Sequence, residues 1–218
     1  IALERLKKLE PIIKEANTDK YYEVLTQEGF CLGMLEKHNE ALDIFNKMLN
    51  VISKNNLELR VIVRINLVDA YINLDKVDMA KRYLEQIAQS IDNVPQTSKR
   101  LAGLYRDTGN LHKKINEIKS AKSYYLKSLE YAKTYKQYNV VRSVLNELFD
   151  IYLADNNDKA INEVKDMFLL NMSKEQKVAV QLLNKLVEYY LNQKDYETLK
   201  EIQKFIKLYM KGCGYNVV

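Results

Sequence analysis

The chain is poor in the residues that most often carry covalent or metal chemistry: two cysteines and two histidines in 218 residues, with six glycines and two prolines. Cys31 falls within a predicted helix and Cys213 in a Gly-Cys-Gly tail, too far apart in sequence to form a metal-ligand pattern, which points to a reduced, cytoplasmic setting. The glycines form no phosphate loop, and no nucleophile elbow or zinc motif occurs. His38 reads as a turn residue and His112 as a packing residue, so no enzyme, cofactor or metal is expected. No apolar run approaches the roughly 18 residues that a membrane span needs, and no signal peptide is visible, so no membrane partner is expected either. Lys+Arg 34 against Asp+Glu 29 leaves a charge of +5. These charges are interspersed as on solvated helix faces, without the concentrated patch that binding of nucleic acid by this segment requires.

What the sequence does contain is a repeat. Ala2, Ala41, Ala80, Ala121, Ala160 and Thr198 recur at intervals of 39, 39, 41, 39 and 38 residues. A period near forty with no strand signal is that of a helical solenoid, in which each helix pair buries its apolar face against the next pair. Around these spacers the apolar residues fall at i, i+4, i+7. The first repeat has Leu25, Gly29 and Leu32, then Ala41, Phe45 and Met48; the fourth has Val144, Leu148 and Ile151, then Ala160, Val164 and Met167.

The pattern predicts helices at 19–36, 39–54, 57–74, 77–92, 97–115, 117–135, 138–154, 157–170, 173–193 and 195–210. Asn93-Val94-Pro95 separates the second and third repeats, since Pro95 lacks an amide proton and pushes Val94 out of the helical region. Asn156-Asn157-Asp158 reads as a turn, and Ser173 with Gln176 as a capping box. Residues 1–16, with Ala2, Leu6 and Leu9 in register before Pro11, read as a helix of a preceding repeat or a linker. Residues 17–210 read as the solenoid and 211–218 as a tail. Beginning already in register, the chain reads as the C-terminal part of a longer protein.

Gly109-Asn110-Leu111-His112, followed by Ala121, Tyr124, Tyr125 and Ser128-Leu129-Glu130-Tyr131-Ala132-Lys133, resembles the tetratricopeptide repeat. The other repeats follow more loosely, Val68, Leu148 and Leu186 replacing the usual small residue. The resemblance implies an all-α, right-handed solenoid of about five helix pairs plus an N-terminal helix. Long, degenerate repeats rich in Tyr, Asn and Lys are similar to the C-terminal domains of the peptide-pheromone receptors of Gram-positive bacteria, the RRNPP quorum-sensing regulators. That resemblance implies a short signalling peptide in the concave groove, a homodimer, and DNA contacted only through a helix-turn-helix domain outside this chain.

Within the family pattern, the residues facing the groove lie between the packing positions of the first helix of each pair. Two places beyond the first core residue stand Gln27, Asn66, Asp107, Asn146 and Asn184, whose amides and carboxylate suit the N–H and C=O groups of an extended peptide. One turn later come Phe30, Asp69, Asn110, Phe149 and Val187. Leu145, Phe149, Tyr152, Leu183 and Tyr190 would then form an apolar wall, and Asp69, Asn73, Arg106, Asp107, Asn110 and Lys113 a polar one. Arg106, Asn110 and Asn146 match part of a carboxylate clamp, but Val180 and Asn184 stand where the family's further Lys and Arg belong. The function expected is therefore peptide reception in an intracellular regulator. The alternatives are a scaffold or self-assembly module whose groove is filled by its own tail or another subunit, and an inhibitor of a phosphatase or response regulator.

Overall fold

A computed structural model of the chain describes residue 4 and residues 18–172 and 180–212. Every regular element among them is a helix: α1 (Thr18–Met34), α2 (His38–Val51), α3 (Leu57–Asn73), α4 (Val77–Ile91), α5 (Leu101–Lys114), α6 (Ile118–Thr134), α7 (Tyr138–Ala154), α8 (Asp158–Met172), α9 (Val180–Asn192) and α10 (Tyr196–Gly212). The reading of a helix over 1–16, apart from residue 4, and those of the Ser173/Gln176 capping box and of Cys213 fall outside the described residues. The chain divides into two compact units, Ile1–Tyr124 and Tyr125–Val218, with the division falling inside α6.

In the first unit α1 packs on α2 and α3 on α4, while α3 also touches α1, α2 and α5. In the second, α7 packs on α8, α9 on α10, and α7 on α9. The buried faces follow this division of labour. α4 buries a single stripe, Ala80, Leu84, Ile87 and Ile91, and leaves Lys81, Arg82 and Glu85 in water. α3 buries Val61, Val63, Leu67, Val68, Ala70 and Tyr71, a broader arc, because neighbours meet it on several sides. The repeat spacers Ala41, Ala80, Ala121 and Ala160 are all buried; Thr198 is half-buried, its hydroxyl donating to Asp195 at 2.7 Å.

Five three-residue turns close the hairpins α1/α2, α3/α4, α5/α6, α7/α8 and α9/α10, and each is built the same way. The middle residue, Glu36, Asp75, Asn116, Asn156 or Lys194, takes φ between 50° and 62°. The following amide reaches back five residues, as Lys37 N–H does to Leu32 C=O at 2.9 Å and Asp195 N–H to Tyr190 C=O at 3.0 Å. The middle amide bonds three residues back, as Glu36 N–H does to Gly33 C=O at 3.0 Å. This pair of bonds is the Schellman end, and it satisfies carbonyls that the helix leaves without partners. Lys136, between α6 and α7, repeats it with φ 55°.

Among the described residues, helix ends differ from the sequence reading by up to four residues. The helix expected from residue 97 begins at Leu101, because Ser98 makes a local turn: its hydroxyl donates to Glu58 Oε2 at 2.5 Å and accepts from Arg100 N–H at 3.1 Å. The last helix continues through Lys211 and Gly212, which the sequence reading gives to the tail.

Candidate functional site

Three helices of the first unit bring a face of side chains together. α1 presents Lys20, Glu23 and Gln27, one turn apart; α3 presents Leu59 and Ile62 beyond its cap residue Asn56; and the turn leading into α5 presents Arg100. They line a cleft of about 850 Å³. Asn56 Oδ1 accepts the Leu59 N–H at 3.2 Å, which fixes the start of α3 at the cleft wall. Arg100 stands between two carboxylates, 3.5 Å from Glu23 and 3.8 Å from Glu58, with 57% of its side chain exposed. Neither separation is a hydrogen bond, and among the described residues no side-chain hydrogen bond engages its guanidinium.

Of the residues proposed from sequence, Gln27 lies in this cleft and is exposed. Asn66 is half-buried, and its amide nitrogen donates to Ile62 C=O at 3.1 Å on its own helix, which uses one of the two N–H donors of its amide. Asp69, Asn73 and Lys114 meet across α3 and α5: Asn73 donates to Asp69 at 3.3 Å, and Lys114 pairs with the same carboxylate. Arg106 is committed to its neighbour Asp107, with Nε at 2.9 Å and a terminal nitrogen at 2.8 Å from one oxygen. Burial raises the pKa of Asp107 in spite of that cation. Asn110 is half-buried on the same helix.

In the second unit Asn184 is exposed on α9 and Leu183 half-buried, while Asn146 on α7 is half-buried with its carbonyl oxygen shut away from solvent and hydrogen bonds. Lys185 and Asp150 tie α9 to α7 at 2.6 Å. Leu145 and Phe149 depart from the expected apolar wall. They are 0% and 1% exposed, with Phe149 meeting Tyr189 edge-on at 6.1 Å, so both belong to the core. The cause is the broad buried arc of a helix packed on more than one side: the residue next to a packing position is covered too. Tyr190, placed in the same wall, is also buried, and its hydroxyl donates to Asn162 at 2.6 Å.

His112 occupies a packing position. It is buried, stacked on Tyr124 at 5.2 Å, with Nδ1 2.8 Å from Glu117, the residue that opens α6. Lys81 of α4 lies 3.3 Å from the same carboxylate group. Burial opposes the charge on Glu117, yet the hydrogen bonds from His112 and Lys81 together hold its carboxyl below the usual glutamate range.

Lys20, Glu23, Asn56, Leu59, Ile62 and Arg100 escaped the sequence reading. A signal existed for three of them: Glu23 and Ile62 lie one helical turn before Gln27 and Asn66, and Leu59 lies one further turn back on α3. The sequence reading followed the same faces in the opposite direction, toward Phe30, Asp69 and Asn110. Arg100 lies in the irregular turn, where helical periodicity gives no guide.

Among the described residues no helix is long and apolar enough to cross a membrane, and no group of three His, Cys, Asp or Glu side chains is placed to hold a metal. No family model and no curated protein matches the chain. The fold is similar to that in the crystal structure of BtubC (BKLC) from P. vanneervenii, with a TM-score of 0.74 and 15% identity, over 100% of this chain and 95% of that one.

Proposed function

We propose that this chain is a binding module that grips an extended peptide on the exposed faces of its odd-numbered helices, its hairpins stacking as a tetratricopeptide-like right-handed solenoid of about five pairs. The observation that carries the reading is the cleft of about 850 Å³ where α1, α3 and the start of α5 meet. It combines an apolar floor, Leu59 and Ile62, with the amide of Gln27, which is the mixture that suits a peptide's side chains and backbone together. The role is binding rather than catalysis.

The narrower reading rests on the resemblance to pheromone receptors: a cytoplasmic quorum-sensing regulator in which a short signalling peptide alters a homodimer, with DNA contacted by a domain outside this chain. A ligand bridging several helices favours whichever curvature lets all of them touch it, and can thereby act on a distant domain. A self-assembly module is the second reading. It draws on Phe30 and Met34, one turn apart on α1 and 58% and 73% exposed.

Titration calorimetry of the full chain with apolar peptides of about five to ten residues tests the proposal. Saturable binding is expected, weakened about tenfold, or about 1.4 kcal/mol, by Gln27→Ala combined with Ile62→Glu. A peptide bound equally well by that double variant removes the cleft from the account. Concentration-dependent association with no peptide bound favours self-assembly.

A further inference from the structure

We infer that the cleft of the first unit recognises the free C-terminal end of its peptide, with the Arg100 guanidinium receiving the carboxylate and Leu59 and Ile62 receiving the last apolar side chain. This rests on the peptide-binding reading above and adds which end of the peptide is held and by what.

The argument starts from the state of Arg100. A guanidinium has five N–H donors in a planar fork that matches the two oxygens of a carboxylate. Arg106, which the sequence analysis matches to part of a carboxylate clamp, already holds Asp107 at hydrogen-bond distance. Among the described residues Arg100 faces only two carboxylates, at 3.5 and 3.8 Å, and neither takes up its donors at the cleft wall. Exchange with an incoming carboxylate leaves neither old partner stranded. Glu58 keeps the Ser98 hydroxyl at 2.5 Å, and the side chain of Glu23, 65% exposed, returns to water. Two long ion pairs at high dielectric give way to a charge-assisted, two-point contact, which is the stronger arrangement.

The neighbours of Arg100 select a chain end over a lone anion. Leu59 and Ile62 stand one turn apart on α3, half-buried, and offer apolar contact beside the guanidinium. Gln27 on α1 carries an exposed amide with both donor and acceptor for the preceding peptide bond. Glu23 and Glu58 discourage further negative charge along the peptide, so the recognised segment is apolar with its charge at the end.

The test uses the full chain, immobilised, and three pools of hexapeptides randomised at the first four positions with Leu, Ile, Val or Phe at the last two. One pool ends in a free acid and one in an amide; the third is amidated with Glu placed last. Mass spectrometry reads retention. The expected result is that the free-acid pool is retained about tenfold over both amidated pools, and that Arg100→Gln brings the contrast to within about twofold while helical circular dichroism is unchanged. Equal retention of the free-acid and amidated pools, or a contrast that survives Arg100→Gln, overturns this inference and leaves the peptide-binding reading standing. Retention of the Glu-ended amide as strong as the free acid assigns the contact to a side chain and overturns the chain-end claim. No retention of any pool overturns both.

Discussion

Among the described residues, six other than glycine hold left-handed backbone at the ends of helices, Glu36, Asp75, Asn116, Lys136, Asn156 and Lys194. Asparagine tolerates this region; lysine and glutamate do so at a cost, accepted here because the Schellman bonds require it. Replacing Glu36, Lys136 or Lys194 by Gly should therefore raise stability by about 0.5–1 kcal/mol each, the relief of strain exceeding the extra freedom gained by the unfolded chain. Asn116→Gly should gain less. Urea unfolding measures both, and a loss of stability in all three would contradict the turn geometry. A second residue-level contrast lies on α1. A Cβ built on Gly29 runs into the Phe45 ring, whereas one on Gly33 meets nothing within 4 Å. Phe45 is buried and has little room to yield, so Gly29→Ala should destabilise by about 1–3 kcal/mol. Gly33→Ala should stabilise by up to about 1 kcal/mol through helix propensity alone. Equal melting temperatures for the two variants would refute the close α1–α2 approach.

Helices were legible in the sequence because periodicity and punctuation agree, and nearly every predicted span matches a described one within a few residues. What periodicity conceals is how many sides of a helix are covered. Leu145 and Phe149 sit beside packing positions, where a helix with one neighbour would leave them open; α7 touches both α8 and α9, so they are enclosed. Hydrogen bonds between distant residues are equally invisible to it. The Glu117 link is one: a carboxylate at the start of α6 holding His112 of α5 and reached by Lys81 of α4. Because its pKa is depressed on folding, its stabilising contribution is present above the ordinary value of 4.5 and disappears as pH falls through the lower folded value. Glu117→Gln should then be less stable than the wild-type chain at neutral pH, and the two should converge as the pH falls from 4.5 through the lower folded value. Thermal melts across that range measure the difference, and a constant gap would show that the charge is not what links the three helices.

For the molecule, an apolar pattern at helical spacing, renewed every forty residues with no strand signal between, made an all-helical architecture readable. The position of the cleft was not readable. It depends on Arg100, placed by the turn that Pro95 and Ser98 make, and on faces one turn before the residues that repeat register singled out. The central claim is that α1, α3 and the start of α5 together grip a peptide. Hydrogen exchange of the full chain, with and without a free-acid peptide recovered from the retained pool, tests it most directly. The account predicts slower exchange at residues 20–27, 56–62 and 100–107; binding without protection in these three segments would contradict it.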